Sequence, residues 1–109
     1  MNIKLPVIVL ACFAAFTAPA IATDIDAGGK IYQKNCRACH GKTGKGLASY
    51  PKLAGQDPEY LIDKLTRYKA GERFGPNTAL MAPQAKKLSK EDIANIAHYI
   101  ATSFKMSGI

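Results

Sequence analysis

Apolar residues repeat along this chain with the period of an α-helix, and no stretch shows the clear alternation of a β-strand. The clearest repeat lies near the C-terminus, where a buried stripe is predicted for Ile93, Ile96, Ala97, Ile100 and Phe104. Ser89 precedes this stripe and Asp92 follows three residues later, which predicts a capping box at the start of a helix. The pattern therefore predicts an all-α chain whose last helix begins after Ser89.

A first helix is predicted close to the N-terminal part of the domain. It begins at Asp24 or Asp26 and runs to about Asn35. Gly28 and Gly29 are poor helix formers, so their presence inside this helix predicts that another backbone packs closely against it.

Another helix is predicted in the middle of the chain. Asp57 caps it, Pro58 occupies its first position and Gly71 ends it. Glycine and proline mark a loop over residues 41–55 before it and a turn over residues 75–77 after it. One stripe of this helix is predicted to contain Tyr60, Leu61, Lys64, Leu65 and Tyr68.

The N-terminal residues have the pattern of an export signal. A single positive charge precedes the mostly apolar run 5–16. Small residues with cleavage-site spacing follow at Ala18, Ala20 and Ala22. The run is short for a bilayer span, so we expect a cleaved signal peptide over residues 1–22 and no stable membrane anchor. The mature domain would then cover residues 23–109, with cleavage near Ala22.

The charge of the chain limits its partners. Its 15 basic and eight acidic residues give a net charge of +7, and loss of Lys4 with the signal would leave +6. The lysines are scattered and no nucleic-acid motif is visible, so we expect no nucleic-acid binding. A protein partner with an acidic docking surface fits this charge better, although solvated surface lysines account for much of the count.

The most specific motif is Cys36-Arg37-Ala38-Cys39-His40. Two cysteines with two spacers and an adjacent histidine are typical of covalent attachment of a c-type haem. Each thiol would form a thioether with one vinyl group of the porphyrin, and His40 would be an axial ligand of the iron. Haem would also supply a large apolar surface for a domain of this size.

Other chemistry is possible for a pair of cysteines at this spacing. The pair could form a redox dithiol, a structural disulfide or half of a zinc site. The alternating strands and helices that accompany a thioredoxin-like motif are absent from the pattern. For zinc, only His98 could be added, because Cys12 lies in the predicted signal peptide.

The second axial ligand is predicted to be Met81. It lies 41 residues beyond His40, and we expect it in a loop between two helices. A thioether is a known haem ligand, whereas the alternative is that Met81 only fills a gap in the core. His98 is a rival ligand, and Met106 is too near the end of the chain. Without ligation by Met81 the site would be open to a gas or peroxide.

With these motifs the chain resembles the class I c-type cytochromes, over essentially the whole mature region. It is most similar to small bacterial periplasmic monohaem types and to a single domain of periplasmic di-haem cytochromes. Gly28 and Tyr32 resemble the glycine and aromatic of the family's first helix, and Ile96 and Tyr99 resemble their partners on the last. Unlike the di-haem proteins, this chain has a single attachment motif.

The resemblance implies a fold of about four helices and loops around one covalently bound haem c with its iron. It implies that the Pro51 carbonyl accepts the Nδ1 proton of His40, and that the protein is a periplasmic electron carrier rather than an enzyme. A haem subunit of a periplasmic dehydrogenase is the alternative. Redox proteins would be the partners, and the candidate docking lysines are Lys42, Lys86 and Lys87.

Overall fold

A computed structural model of the chain describes residues 2–14 and 22–105. Within those ranges there is no β-strand, only an isolated bridge between Leu47 and Tyr50. The helical segments are α1 (Ile25–Ile31), a π-helical segment (Tyr32–Cys36), α2 (Arg37–His40), α3 (Pro58–Lys69), α4 (Thr78–Lys86) and α5 (Lys90–Ser103). Because the first three segments follow one another without a break, the described chain forms four helices, which confirms the predicted all-α class.

The first helix starts where the sequence predicts but continues further. Of the two candidate caps, Asp24 is the one used, since its side chain accepts a hydrogen bond from the backbone of Ala27 at 3.0 Å. The predicted end near Asn35 is wrong, because the chain stays helical to His40. No backbone break occurs until Gly41, whose φ of +90° lies in the region that favours glycine.

The first and last helices cross at Gly28, as the glycines predicted. A Cβ atom on Gly28 would lie only 2.1 Å from the backbone oxygen of Asn95 in α5. Beside this crossing the ring centroid of Tyr32 lies 5.8 Å from that of Tyr99 and 5.0 Å from that of Phe104. The close approach of α1 and α5 therefore builds the aromatic part of the core.

Helix α3 confirms the predicted start and end but not the whole predicted stripe. Asp57 is at the N-cap, although its side chain makes no capping hydrogen bond, and Gly71 follows the last turn with a φ of +87°. Leu61 is buried, whereas Tyr60 is 48% exposed, so only part of the predicted stripe faces the core. Tyr60 precedes Leu61 by one residue, which places it about 100° around the helix at the edge of the apolar face.

Met81 lies in helix α4, so the prediction of a loop at this position is wrong. Alanine, leucine, methionine and lysine, which dominate this segment, are good helix formers. Pro83 removes the hydrogen bond to the carbonyl of Ala79 and crowds that carbonyl, and both of these residues are exposed. Water can therefore take the place of the missing donor, and the helix passes through the proline.

Helix α5 agrees with its prediction in detail. The Asp92 backbone N–H donates to Ser89 Oγ at 3.0 Å, and the Ser89 backbone N–H donates to Asp92 Oδ2 at 2.9 Å. All members of the predicted stripe are buried: Ile93, Ile96, Ala97, Ile100 and Phe104. They form a core with residues of α1 and α3.

The N-terminal residues 2–14 are exposed and form no regular secondary structure. Within the described part of the chain, no helix is long and apolar enough to cross a membrane. Ala18 and Ala20 of the predicted cleavage site, and Met106, lie outside the described residues.

Candidate cofactor site

The two cysteines of the motif lie at the end of the first helical run. Cys36 is the last residue of the π-helical segment and Cys39 lies in α2. Helical positions three residues apart are neighbours on the surface, so the two side chains share one side of the helix. Both thiols are free, with Cys36 partly buried and Cys39 exposed. The helix thus offers two unbonded thiols close together.

The surroundings of the thiols differ from those of a redox dithiol or a zinc site. Burial, with the nearby Cys39 as a smaller cause, raises the pKa of the Cys36 thiol to about 11. Reactive dithiols instead depend on a thiol with a lowered pKa. Among the described residues, no group of three or more histidine, cysteine or acidic side chains could hold a metal ion. Neither alternative for the pair therefore gains support from the structure.

His40 is buried and held in one orientation. Its Nδ1 lies 2.8 Å from the backbone oxygen of Pro51, and the side chain is 8% exposed. A carbonyl oxygen only accepts, so Nδ1 carries the proton, and Nε2 of the neutral ring keeps a lone pair. A histidine that ligates iron needs this arrangement, in which the second nitrogen fixes the ring. The bond that the resemblance implied for Pro51 is confirmed.

The loop after His40 is fixed by backbone hydrogen bonds and by one side chain. The Gly46 N–H donates to the carbonyl of His40 at 2.8 Å, and the Tyr32 hydroxyl donates to the carbonyl of Gly41 at 2.6 Å. Gly46 has a φ of +81°, and a Cβ there would lie 2.6 Å from the oxygen of Tyr50. The hydrogen bond of the Tyr32 hydroxyl was not predicted. The only indication of it in the sequence is that this core position holds tyrosine, although phenylalanine would fill the same space without a hydroxyl.

Met81 lies on a different element from His40 and the two cysteines. Its side chain is partly buried on α4, which packs against α3. Asn77, the residue before α4, donates from Nδ2 to Ser49 Oγ at 3.2 Å. This bond joins the start of α4 to the loop that carries Pro51, and no local pattern in the sequence indicates it. His98, the rival ligand, is partly buried on α5.

These side chains fit a haem of the c type. Two free thiols can form thioethers, the free Nε2 of His40 can bind iron, and a methionine thioether is a usual ligand on the opposite face. The fit depends on the donor atoms and on the fixed tautomer of His40, which the hydrogen bond to Pro51 determines.

Comparison with known proteins decides the family. The family model for cytochrome c matches residues 25–104. The chain belongs to the cytochrome c family. This cytochrome is 52% identical over 68 residues to cytochrome c-554(548) of Halomonas halodenitrificans. The aligned region covers 62% of this chain and 82% of the relative. It is 38% identical over 89 residues to cytochrome c-554(547) of Halothiobacillus neapolitanus, and the aligned region covers 74% of this chain and 98% of that relative.

A longer relative has a name that describes its role. This cytochrome is 39% identical over 67 residues to the thiosulfate dehydrogenase electron acceptor of Stutzerimonas stutzeri, covering 61% of this chain and 31% of that protein. The matches confirm a small class I c-type cytochrome that resembles one domain of di-haem cytochromes. Its cofactor is covalently bound haem c with iron, and its function is haem-based electron transfer with redox proteins as partners.

Proposed function

We propose that this cytochrome is a periplasmic carrier of single electrons. In this proposal Cys36 and Cys39 would attach the haem, and His40 and Met81 would bind its iron. The observation that carries the proposal is the hydrogen bond from His40 Nδ1 to the Pro51 carbonyl, beside two free thiols. This bond leaves the Nε2 lone pair available to iron and fixes the plane of the ring.

The two axial ligands would give the haem its redox character. Haem supplies an iron that alternates between the ferrous and ferric states when bound. The soft thioether of Met81 favours the ferrous state and so raises the reduction potential. The hydrogen bond from His40 Nδ1 to the Pro51 carbonyl makes the imidazole a stronger donor to iron, which opposes that effect to a smaller extent. Exchange of one electron changes no covalent bond, so the protein needs no catalytic residue.

Export would follow from the N-terminal pattern. We place the signal peptide at residues 1–22 and the working domain at residues 23–109. Covalent haem attachment is consistent with this, because bacterial c-type cytochromes are typically periplasmic. The partner would carry acidic groups near its docking site, because Lys42, Lys86 and Lys87 are exposed and the chain is basic.

A second role is favoured by one comparison. One relative is named as the electron acceptor of thiosulfate dehydrogenase, so this cytochrome could serve as the haem subunit of a periplasmic dehydrogenase. The haem chemistry would be the same in both roles. Purification from the native periplasm separates them, since a dehydrogenase subunit would elute with a catalytic chain and a free carrier would elute alone.

Replacement of Met81 tests the proposed ligands. Met81→Ala should abolish the weak absorption band of a sulfur-to-ferric-iron bond and lower the reduction potential. Axial ligands act over a range of about 0.8 V among haem proteins, so the fall is expected to be large. Met106→Ala is the matched control and should change neither property. A Met81→Ala protein with the spectrum and potential of the wild type would show that another group binds the iron.

A further inference from the structure

The ring of Phe74 contacts two cationic side chains of α3. The Lys64 Nζ atom is 4.0 Å from the centroid of its ring, and the Arg67 Cζ atom is 4.5 Å from the same centroid. The ring of Tyr68 meets that of Phe74 edge-on, with 4.9 Å between centroids. Phe74 belongs to the α3–α4 connection, residues 70–77, and is partly buried by these contacts. We call Phe74, Lys64, Arg67 and Tyr68 the Phe74 clamp.

An ion pair holds Arg67 in place for this contact. Its Nε donates to Glu72 Oε2 at 2.8 Å, and its Nη2 donates to the other oxygen of the same carboxylate. Arg67 also donates to Asp63 Oδ2 at 3.3 Å, one turn earlier on α3. The guanidinium lowers the pKa of Glu72, so the pair is charged at neutral pH. A two-point contact with one carboxylate fixes the plane of the guanidinium, which keeps it over the ring.

The clamp connects directly to the start of α4. The backbone N–H of Phe74 donates to Thr78 Oγ1 at 2.9 Å, and Thr78 is the buried first residue of that helix. Met81 lies three residues further, on the next turn of α4. At the other end, Lys69 of α3 donates to the carbonyl of Leu88, just after α4. Contacts from α3 and its connection thus hold α4 at both ends.

Helix α4 depends on such contacts for its position. It has nine residues, with Pro83 inside, and isolated helices of that length are not stable in water. Among its residues only Thr78 and Ala85 are buried, so core packing holds it at few points. The contacts at its ends therefore matter more than they would for a long amphipathic helix.

We propose that the Phe74 clamp positions Met81, so that Phe74 is a positioning residue for the methionine–iron bond. The inference rests on the proposed function, in which Met81 is that ligand. Loss of the Phe74 clamp would release the start of α4. The Met81 thioether would then dissociate from the iron more often, although the Met81 and His40 side chains themselves would be unchanged. An added ligand would then compete with Met81 more easily.

Imidazole binding to the ferric holoprotein measures this competition. Imidazole replaces the methionine thioether, and the sulfur-to-iron band falls as it binds. Phe74→Ala should bind imidazole about tenfold more tightly than the wild type, a factor that corresponds to about 1.4 kcal/mol. Phe74→Tyr keeps an aromatic face over both cations and should restore the wild-type affinity. Phe74→Leu keeps an apolar side chain of similar size without the aromatic face, so its imidazole affinity should lie between those of Phe74→Ala and Phe74→Tyr. If Phe74→Ala does not load haem, the comparison of Phe74→Leu with the wild type serves as the test.

A second variant separates positioning from general loss of stability. Asp24→Ala removes the cap of α1, far along the chain from α4, and should lower the midpoint of urea unfolding while leaving the imidazole affinity unchanged. If Asp24→Ala raises that affinity as much as Phe74→Ala does, or if Phe74→Ala leaves it unchanged, the positioning role is wrong. Persistence of the sulfur band in Met81→Ala would instead overturn the ligand assignment, and the positioning role with it.

Discussion

At the residue scale, the phenol of Tyr32 connects the helix crossing with the haem site. Its ring packs against Tyr99 and Phe104, and its hydroxyl donates to the carbonyl of Gly41, the residue after His40. Burial is the main cause that raises the pKa of Tyr32 to about 12. The neutral phenol is therefore favoured in the folded protein, where it is needed as a donor.

This raised pKa predicts a pH dependence of stability. An unfolded tyrosine loses its proton near pH 10, while the folded one keeps it to about pH 12, so stability is lost as pH rises between these values. Tyr32→Phe should lower the free energy of unfolding at neutral pH by about 1 kcal/mol and show a smaller fall at high pH. Urea unfolding from pH 8 to pH 12 measures both, with Tyr60→Phe as the exposed control. If the free energy of unfolding falls equally with pH in the wild type and in Tyr32→Phe, Tyr32 is not the group that causes the loss of stability.

At the scale of helices, the crossing of α1 and α5 depends on one glycine more than on its neighbour. An added Cβ on Gly28 would meet the Asn95 backbone, whereas one on Gly29 would lie 2.7 Å from the Tyr99 ring. A backbone cannot move away without separating the helices, but an aromatic side chain can rotate. The crossing therefore tolerates a methyl group at Gly29 better than at Gly28.

Alanine at each glycine tests this difference. Gly28→Ala should lower the free energy of unfolding by about 2–3 kcal/mol, near the top of the range for overpacking. Gly29→Ala should cost less than about 1 kcal/mol, because better helix propensity offsets part of the crowding. Thermal or urea unfolding of the two holoproteins gives the comparison. Equal costs, or a stabilised Gly28→Ala protein, would mean that the helices do not approach as closely as described.

The sequence predicted the elements whose signals are local. The capping box at Ser89 and the end of α3 at Gly71 depend on neighbouring residues, and both are found where the pattern places them. Met81 was predicted in a loop but lies in α4, where good helix formers surround it and the carbonyl left without a donor by Pro83 belongs to the exposed Ala79. The clamp around Phe74 and the bond from Asn77 to Ser49 join parts that are distant in sequence, and no local pattern indicates them.

At the scale of the whole molecule, positive charge exceeds negative charge. The full chain carries +7, and residues 23–109 would carry +6. Such an excess attracts an acidic partner over a distance of about one Debye length, which is about 8 Å at physiological salt. Because docking for electron transfer is brief, the charge should act on the association rate more than on affinity.

The rate of electron transfer to the native partner should therefore fall as salt is added. Steering of this kind can change association rates by about ten- to a thousandfold. Lys42→Glu should reduce the rate at low salt more than Lys30→Glu, which changes the net charge equally but lies on α1 beside Tyr99. Stopped-flow mixing over a series of salt concentrations measures both effects. A rate that is constant or rises with salt would exclude an acidic docking surface.

In the proposed function, Cys36 and Cys39 hold one haem on an exported chain. The most direct test is the intact mass of the periplasmic protein after denaturation and acid–organic extraction, which removes haem that is not covalently bound. The mass should equal that of residues 23–109 plus one haem, and it should keep the haem through extraction. A polypeptide mass without haem, with the haem recovered in the organic phase, would contradict the claim.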